Sequence, residues 1–140
     1  MGIGIVGSIN GLTSAMITME SILFIVIISL LLVHEMDAIR AKEWKMFIVL
    51  KDMEEEAAYK FFVLIHLPLY VVAFYILYDG GIMASYVLKI VIDIFLLVHA
   101  IIHYGFRNHS HNGFKSIFSK NIIYSMSGLA LLHLCLLLAL

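Results

Sequence analysis

The sequence predicts an all-α protein: a four-transmembrane-helix bundle with an interfacial amphipathic segment between helices 1 and 2. Three observations carry this. The 140 residues are 63% hydrophobic and only 14% charged, with a mean hydropathy of +1.04. A soluble domain is about half apolar and about a quarter charged, and a chain this small leaves too much surface exposed to hide the excess. Apolar runs approaching the roughly 20 residues that a bilayer core requires occur four times. The lysines and arginines gather almost entirely in two connections between those runs. The length suits one domain, 1–140.

The first span is expected at about 14–33, with Glu20 near its start. The residues before it, "MGIGIVGSING", lack a basic start and a clear small-residue cleavage site, so no cleavable signal is expected. The opening Met-Gly suggests myristoylation, but Val6 stands where Ser or Thr is wanted. In the 34–57 connection Trp44, Phe47, Ile48, Leu50 and Met53 alternate with charges, and acidic "DMEEE" follows. That pattern predicts a short interfacial helix anchored by Trp44. The acidic part reads equally as a cap on the second helix.

The second span is expected at about 58–77, with Pro68 as a kink whose freed carbonyl neighbouring helices can satisfy. "YDGG" (78–81) predicts a tight turn, because its two glycines supply backbone freedom. The second and third helices are then antiparallel neighbours. The third span covers about 82–104 and the fourth about 120–140. Lys89 and Asp93 lie inside the third, four residues apart. They can neutralise each other and fix the helix's rotation, or form a proton or headgroup site. The single cysteine, Cys135, excludes an intramolecular disulfide.

Arg40, Lys42, Lys45, Lys51, Lys60, Arg107, Lys115 and Lys120 fall in or beside the 34–57 and 105–119 connections, which lie on one side. Positive-inside places that side in the cytoplasm and both termini outside, in the cell (inner) membrane. The net charge of −1 offers nothing to nucleic acid. The partners expected are the lipid bilayer, a lipid-like substrate and, for so small a chain, further copies of itself.

Seven histidines are the chemically informative feature. His34 ends the first span. His99 and His103 stand at i, i+4, so both imidazoles share one helical face. His66 lies about 12 Å inside the second helix and His99 about 8 Å inside the third, from the same side. His109 and His111 follow in "RNHSHNG". These segments converge on the cytoplasmic half of a bundle, where a metal could satisfy several imidazoles at once. Zinc takes three or four N, O or S ligands, and iron mixes histidine with carboxylate. Asp37, three residues after His34, shares its face if the helix continues. Glu35 is rotated by roughly 100° and suits an outer partner or proton carrier.

The leading ligands are therefore His34, Asp37, His99 and His103. His66 is a ligand or supporting residue, and His109 and His111 are candidates from a closing loop. Glu35 or Asp37 would act as general base on a metal-bound water in a zinc hydrolase. With iron, the same ligands would serve oxidation of an acyl chain. His133, near the middle of the fourth helix, suits a helix–helix hydrogen bond.

Two other classes compete. Haem could be held across the bundle by His66 with His99 or His133. A non-enzymatic transporter or immunity-type protein would rely more on Lys89 and Asp93.

"HEMDAIRAKEW", a histidine-bearing second helix and "HAIIHYGF" together resemble small bacterial membrane proteins of unknown function, the DUF6713-like and HXXEE-type proteins. The resemblance spans most of the chain. Against the HXXEE label, Asp37 supplies an acid in place and Ala38 does not. The resemblance implies a shared His/acid site in a helical membrane bundle, without a substrate.

Overall fold

The computed structural model describes the backbone of residues 3–78 and 82–139, and side chains for 14–78 and 86–139. Four helices, α1 (Ile3–Ala41), α2 (Glu55–Tyr78), α3 (Ile82–Gly105) and α4 (Ile117–Ala139), make up nearly all of it. There is no strand among the described residues. All four helices are long and apolar enough to cross a membrane, over Ser14–Ala41, Glu55–Tyr78, Tyr86–Asn108 and Ile117–Ala139. α2 continues through Pro68. Residues 79–81 of the expected "YDGG" turn lie outside the described residues.

α1 runs well past the expected exit at Val33. The reason is local and tertiary at once. Residues 34–41 include Glu, Met, Arg and two Ala, all strong helix formers. The buried stripe Phe24, Ile27, Leu31 also continues through His34 and Ala38, at alternating spacings of three and four. So the charged triplet His34, Glu35 and Asp37 belongs to the helix. α1 stops at Lys42, whose φ of 52° puts it in the left-handed region that glycine or asparagine normally occupies.

The connection to α2 is a single 3₁₀ turn (Glu43–Met46) and further turns. Trp44 is turned inward, its ring 5.7 Å from Tyr59 and 5.5 Å from Phe62. Packing inside the protein has won over an interfacial anchor. α2 then starts at a capping carboxylate: Glu54 accepts hydrogen bonds from the N–H groups of Glu56 and Ala57, at 3.0 and 2.9 Å. Those two donors hold the Glu54 carboxyl below the usual range. Glu55 bridges Lys42 and Lys45 across the connection.

α1 and α3 both pack along the length of α4, whereas α2 meets α1 and α3 more sparsely. Phe24, Ile27, Leu31, Leu96, Met126 and Ala130 form an apolar slab at the centre. Ala38, Trp44, Phe62, Ala100, Phe114 and Ile123 form a second cluster toward the connections. Polar residues occupy the core stripe at two levels, one beyond each side of the slab.

Candidate metal centre

His34 from α1 and His99 and His103 from α3 meet at the connection-side level. The Nε2 atoms of His34 and His99 are 2.8 Å apart, and those of His103 and His99 are 3.0 Å apart. Glu43, from the 3₁₀ turn, brings Oε1 to 3.4 Å from His103 Nε2. One donor atom from each of these four residues lies within 4.8 Å of the others, so the group could hold a metal ion. Ligand atoms around a tetrahedral zinc, with bonds of 2.0–2.1 Å, stand about 3.3 Å apart. The observed separations bracket that edge.

The protein alone does not satisfy this constellation. An imidazole nitrogen makes one in-plane hydrogen bond, yet His99 Nε2 faces two others. His34 Nδ1 is buried without a partner among the described residues. Burial would raise the Glu43 carboxyl, but His103 and the neighbouring imidazoles outweigh it and hold Glu43 below its ordinary value. A carboxylate among imidazoles is a typical donor set for zinc or iron.

Phe114, 3% exposed, covers the centre. Its ring lies 4.6 Å from His103 and 5.5 Å from His34. The 105–116 loop seats it there. Asn112 donates to the carbonyls of Phe106 and Arg107 at 3.2 and 3.1 Å, and its Oδ1 accepts from the Phe114 N–H at 2.8 Å. Gly113 makes the close approach possible: a Cβ there would lie 2.5 Å from the Ala41 carbonyl oxygen. Gly113→Ala is therefore expected to push the loop off α1 and unseat Phe114. Overpacking of this kind costs about 1–3 kcal/mol, readable as a lowered thermal midpoint in detergent.

An apolar cavity of about 670 Å³ opens between α2 and α3. Its walls include Phe61, Ile65, Leu69 and Phe95, and Glu43 and His99 reach it from the centre. Glu35 and His66 line it as well. His66 Nε2 lies 2.8 Å from Glu35 Oε2, and its Nδ1 lies 2.5 Å from the Phe62 carbonyl. Both ring nitrogens thus face acceptors.

The remaining expected residues stand elsewhere. Asp37 accepts from Arg40 Nε at 2.7 Å, and Arg40 also reaches Ser119 at 3.3 Å. His109 and His111 pack against each other, ring to ring at 5.7 Å, with His109 against Phe106. The four-residue group includes none of these three. Sequence reasoning missed Glu43, the fourth member, because no periodicity marks an acid in a 3₁₀ turn.

The second polar level lies across the apolar slab. His133 of α4 is fully buried between two acids, with Nδ1 2.7 Å from Asp93 Oδ2 and Nε2 3.0 Å from Glu20 Oε1. Lys89 donates to the same Glu20 oxygen at 2.8 Å. Lys89 thus pairs with Glu20 across helices, and Asp93 with His133, in place of the expected pairing along α3. The cross-helix geometry satisfies four groups, where the local pair would leave Glu20 and His133 bare. With both its nitrogens engaged here, His133 offers no lone pair to haem.

A family model described as a family of unknown function (DUF6713) matches residues 20–140, a stretch that contains every residue of both polar levels. No curated protein and no solved structure matches the chain.

Proposed function

Because the chain belongs to the DUF6713 family, whose function is unknown, its role must come from its site, and we propose that it is a membrane-embedded metalloprotein acting hydrolytically on a lipid-like amphiphile. One observation carries the proposal. Three imidazole nitrogens and a carboxylate converge where an apolar cavity ends. Membrane embedding is supported by the outward faces of the helices. Ile22, Leu64, Leu67, Val71, Ile101 and Leu132 are each more than half exposed, and such faces are at rest only among acyl chains. The positive-inside tendency supports reading the cation-rich connections, and the centre beside them, as cytoplasmic, with both termini outside.

His34, His99, His103 and Glu43 would hold the ion, which when bound supplies Lewis acidity and a water acidic enough to react near neutral pH. The cavity between α2 and α3 receives the apolar part of the amphiphile and keeps bulk water away. Glu35, paired with His66 and lining the cavity, is placed to take or return a proton at Oε2. That acid–base pair favours hydrolysis over oxidation. Asp37, neutralised by Arg40, is left to anchor α1 against α4 through Ser119.

Elemental analysis of the purified protein tests the reading. Wild type and Asp37→Ala are expected to carry about one zinc or iron per chain, and His103→Ala and Glu43→Ala far less. Equal content in all four proteins would defeat the ligand set. A strong Soret band in a zinc-free preparation would favour haem instead.

A further inference from the structure

On the face of α3 and α4 away from α2, the 105–116 loop closes a cleft of about 270 Å³. Arg107, Lys115 and Lys120 line it, together with Tyr104, Asn108 and Tyr124, and the His103 ring forms part of its wall. No carboxylate among the described residues lines it. Elsewhere among the described residues every Lys and Arg except Lys51 is matched: Arg40 with Asp37, Lys42 and Lys45 with Glu55, Lys60 with Glu56, Lys89 with Glu20. Arg107, Lys115 and Lys120 have no acidic partner among the described residues.

We propose that Arg107, Lys115 and Lys120 form a binding site for a phosphate-bearing anion, with His103 at its wall. Membrane sidedness requires cations in this connection, but it does not require three of them to line one hollow. Two details point the same way. Lys120 sits in the first turn of α4, where the helix dipole disfavours a cation, so an anion beside it would offset a standing repulsion. Arg107 is already fixed, donating Nη1–H to the Tyr104 carbonyl at 2.9 Å and stacking over the Tyr104 ring at 4.1 Å. That leaves most of its donors for a ligand at little ordering cost. At the end of a membrane helix, the phosphate of an anionic lipid headgroup and free phosphate would be held by the same donors. The site does not depend on the metal reading.

The experiment compares retention of phosphatidylglycerol, phosphatidylcholine and inorganic phosphate by the full chain in neutral detergent, read by native mass spectrometry. Phosphatidylglycerol or inorganic phosphate is expected to be retained in preference to phosphatidylcholine. Arg107→Gln, Lys115→Gln and Lys120→Gln are each expected to weaken that retention about fivefold, the worth of one cation near a membrane surface. Lys51→Gln, which removes a cation from the other connection, should leave it unchanged, and Lys120→Arg should preserve it. Displacement of phosphatidylglycerol by excess phosphate would identify the soluble anion as the ligand. Resistance to displacement would identify the lipid headgroup. Equal retention of both lipids with no phosphate bound would overturn the proposal, as would a loss in Lys51→Gln matching that of the cleft variants.

Discussion

Replacing His99 with alanine is expected to abolish the metal-dependent part of the protein's thermal stability. His99 is central to the constellation, with its Nε2 2.8 Å from that of His34 and 3.0 Å from that of His103. A ligand that binds only the folded state stabilises it by about 2.7 kcal/mol at a hundred times its dissociation constant. Wild type should therefore gain that much from zinc, and His99→Ala close to nothing. The metal-free variant should lose much less, because His99 is only partly buried and its removal ends the competition among three crowded nitrogens. Thermal unfolding in detergent with and without added zinc reads both effects. His109→Ala, altered in the loop beyond the centre, should keep the full shift. A zinc shift of wild-type size in His99→Ala would sink the proposed centre.

Asp93→Ala should lower stability by about 3–5 kcal/mol, the range for breaking a buried ionic network at one partner. Asp93 is fully buried, and its Oδ2 is the only acceptor for His133 Nδ1 among the described residues. The variant leaves His133 with an empty position beside it and Glu20 with unbalanced partners. Asp93→Asn keeps an acceptor oxygen for the ring and is expected to cost distinctly less. Equilibrium unfolding of both variants in one detergent is the measurement. Losses for Asp93→Ala no larger than about 0.6 kcal/mol, the mean for transmembrane hydrogen bonds, would show that the network adds little.

The helices were legible because hydropathy marks them directly: each expected span falls inside an observed helix apart from the last residue, Leu140. His99 and His103 were legible because i, i+4 spacing fixes a shared face whatever surrounds it. His34 needed one further condition, that α1 continue past Val33, and its place on the stripe from Phe24 to Ala38 meets it. Glu43 and Phe114 were not legible. Both depend on how irregular segments fold back, at the left-handed Lys42 and at the Gly113–Ala41 contact, and neither leaves a period in the sequence. Lys89 and Asp93 misled for a related reason. Spacing along one helix shows which groups can meet, but not whether a better partner stands on another helix.

The network around His133 also bears on the order of assembly. On the membrane-embedded reading, a chain inserted from its N-terminus commits Glu20 to the bilayer long before its partners are made. Lys89 follows 69 residues later and His133 113 residues later. Until α3 is made α1 carries an uncompensated acid; α3 then brings Lys89 to Glu20 and with it Asp93, whose partner is still to come. The last helix to emerge brings His133, which meets Asp93 and joins Lys89 on the same Glu20 oxygen. Committed insertion of this chain is therefore a late event, completed by α4. A chain cut short before His133 would leave Asp93 bare among the helices, where quality control could recognise it as unfinished.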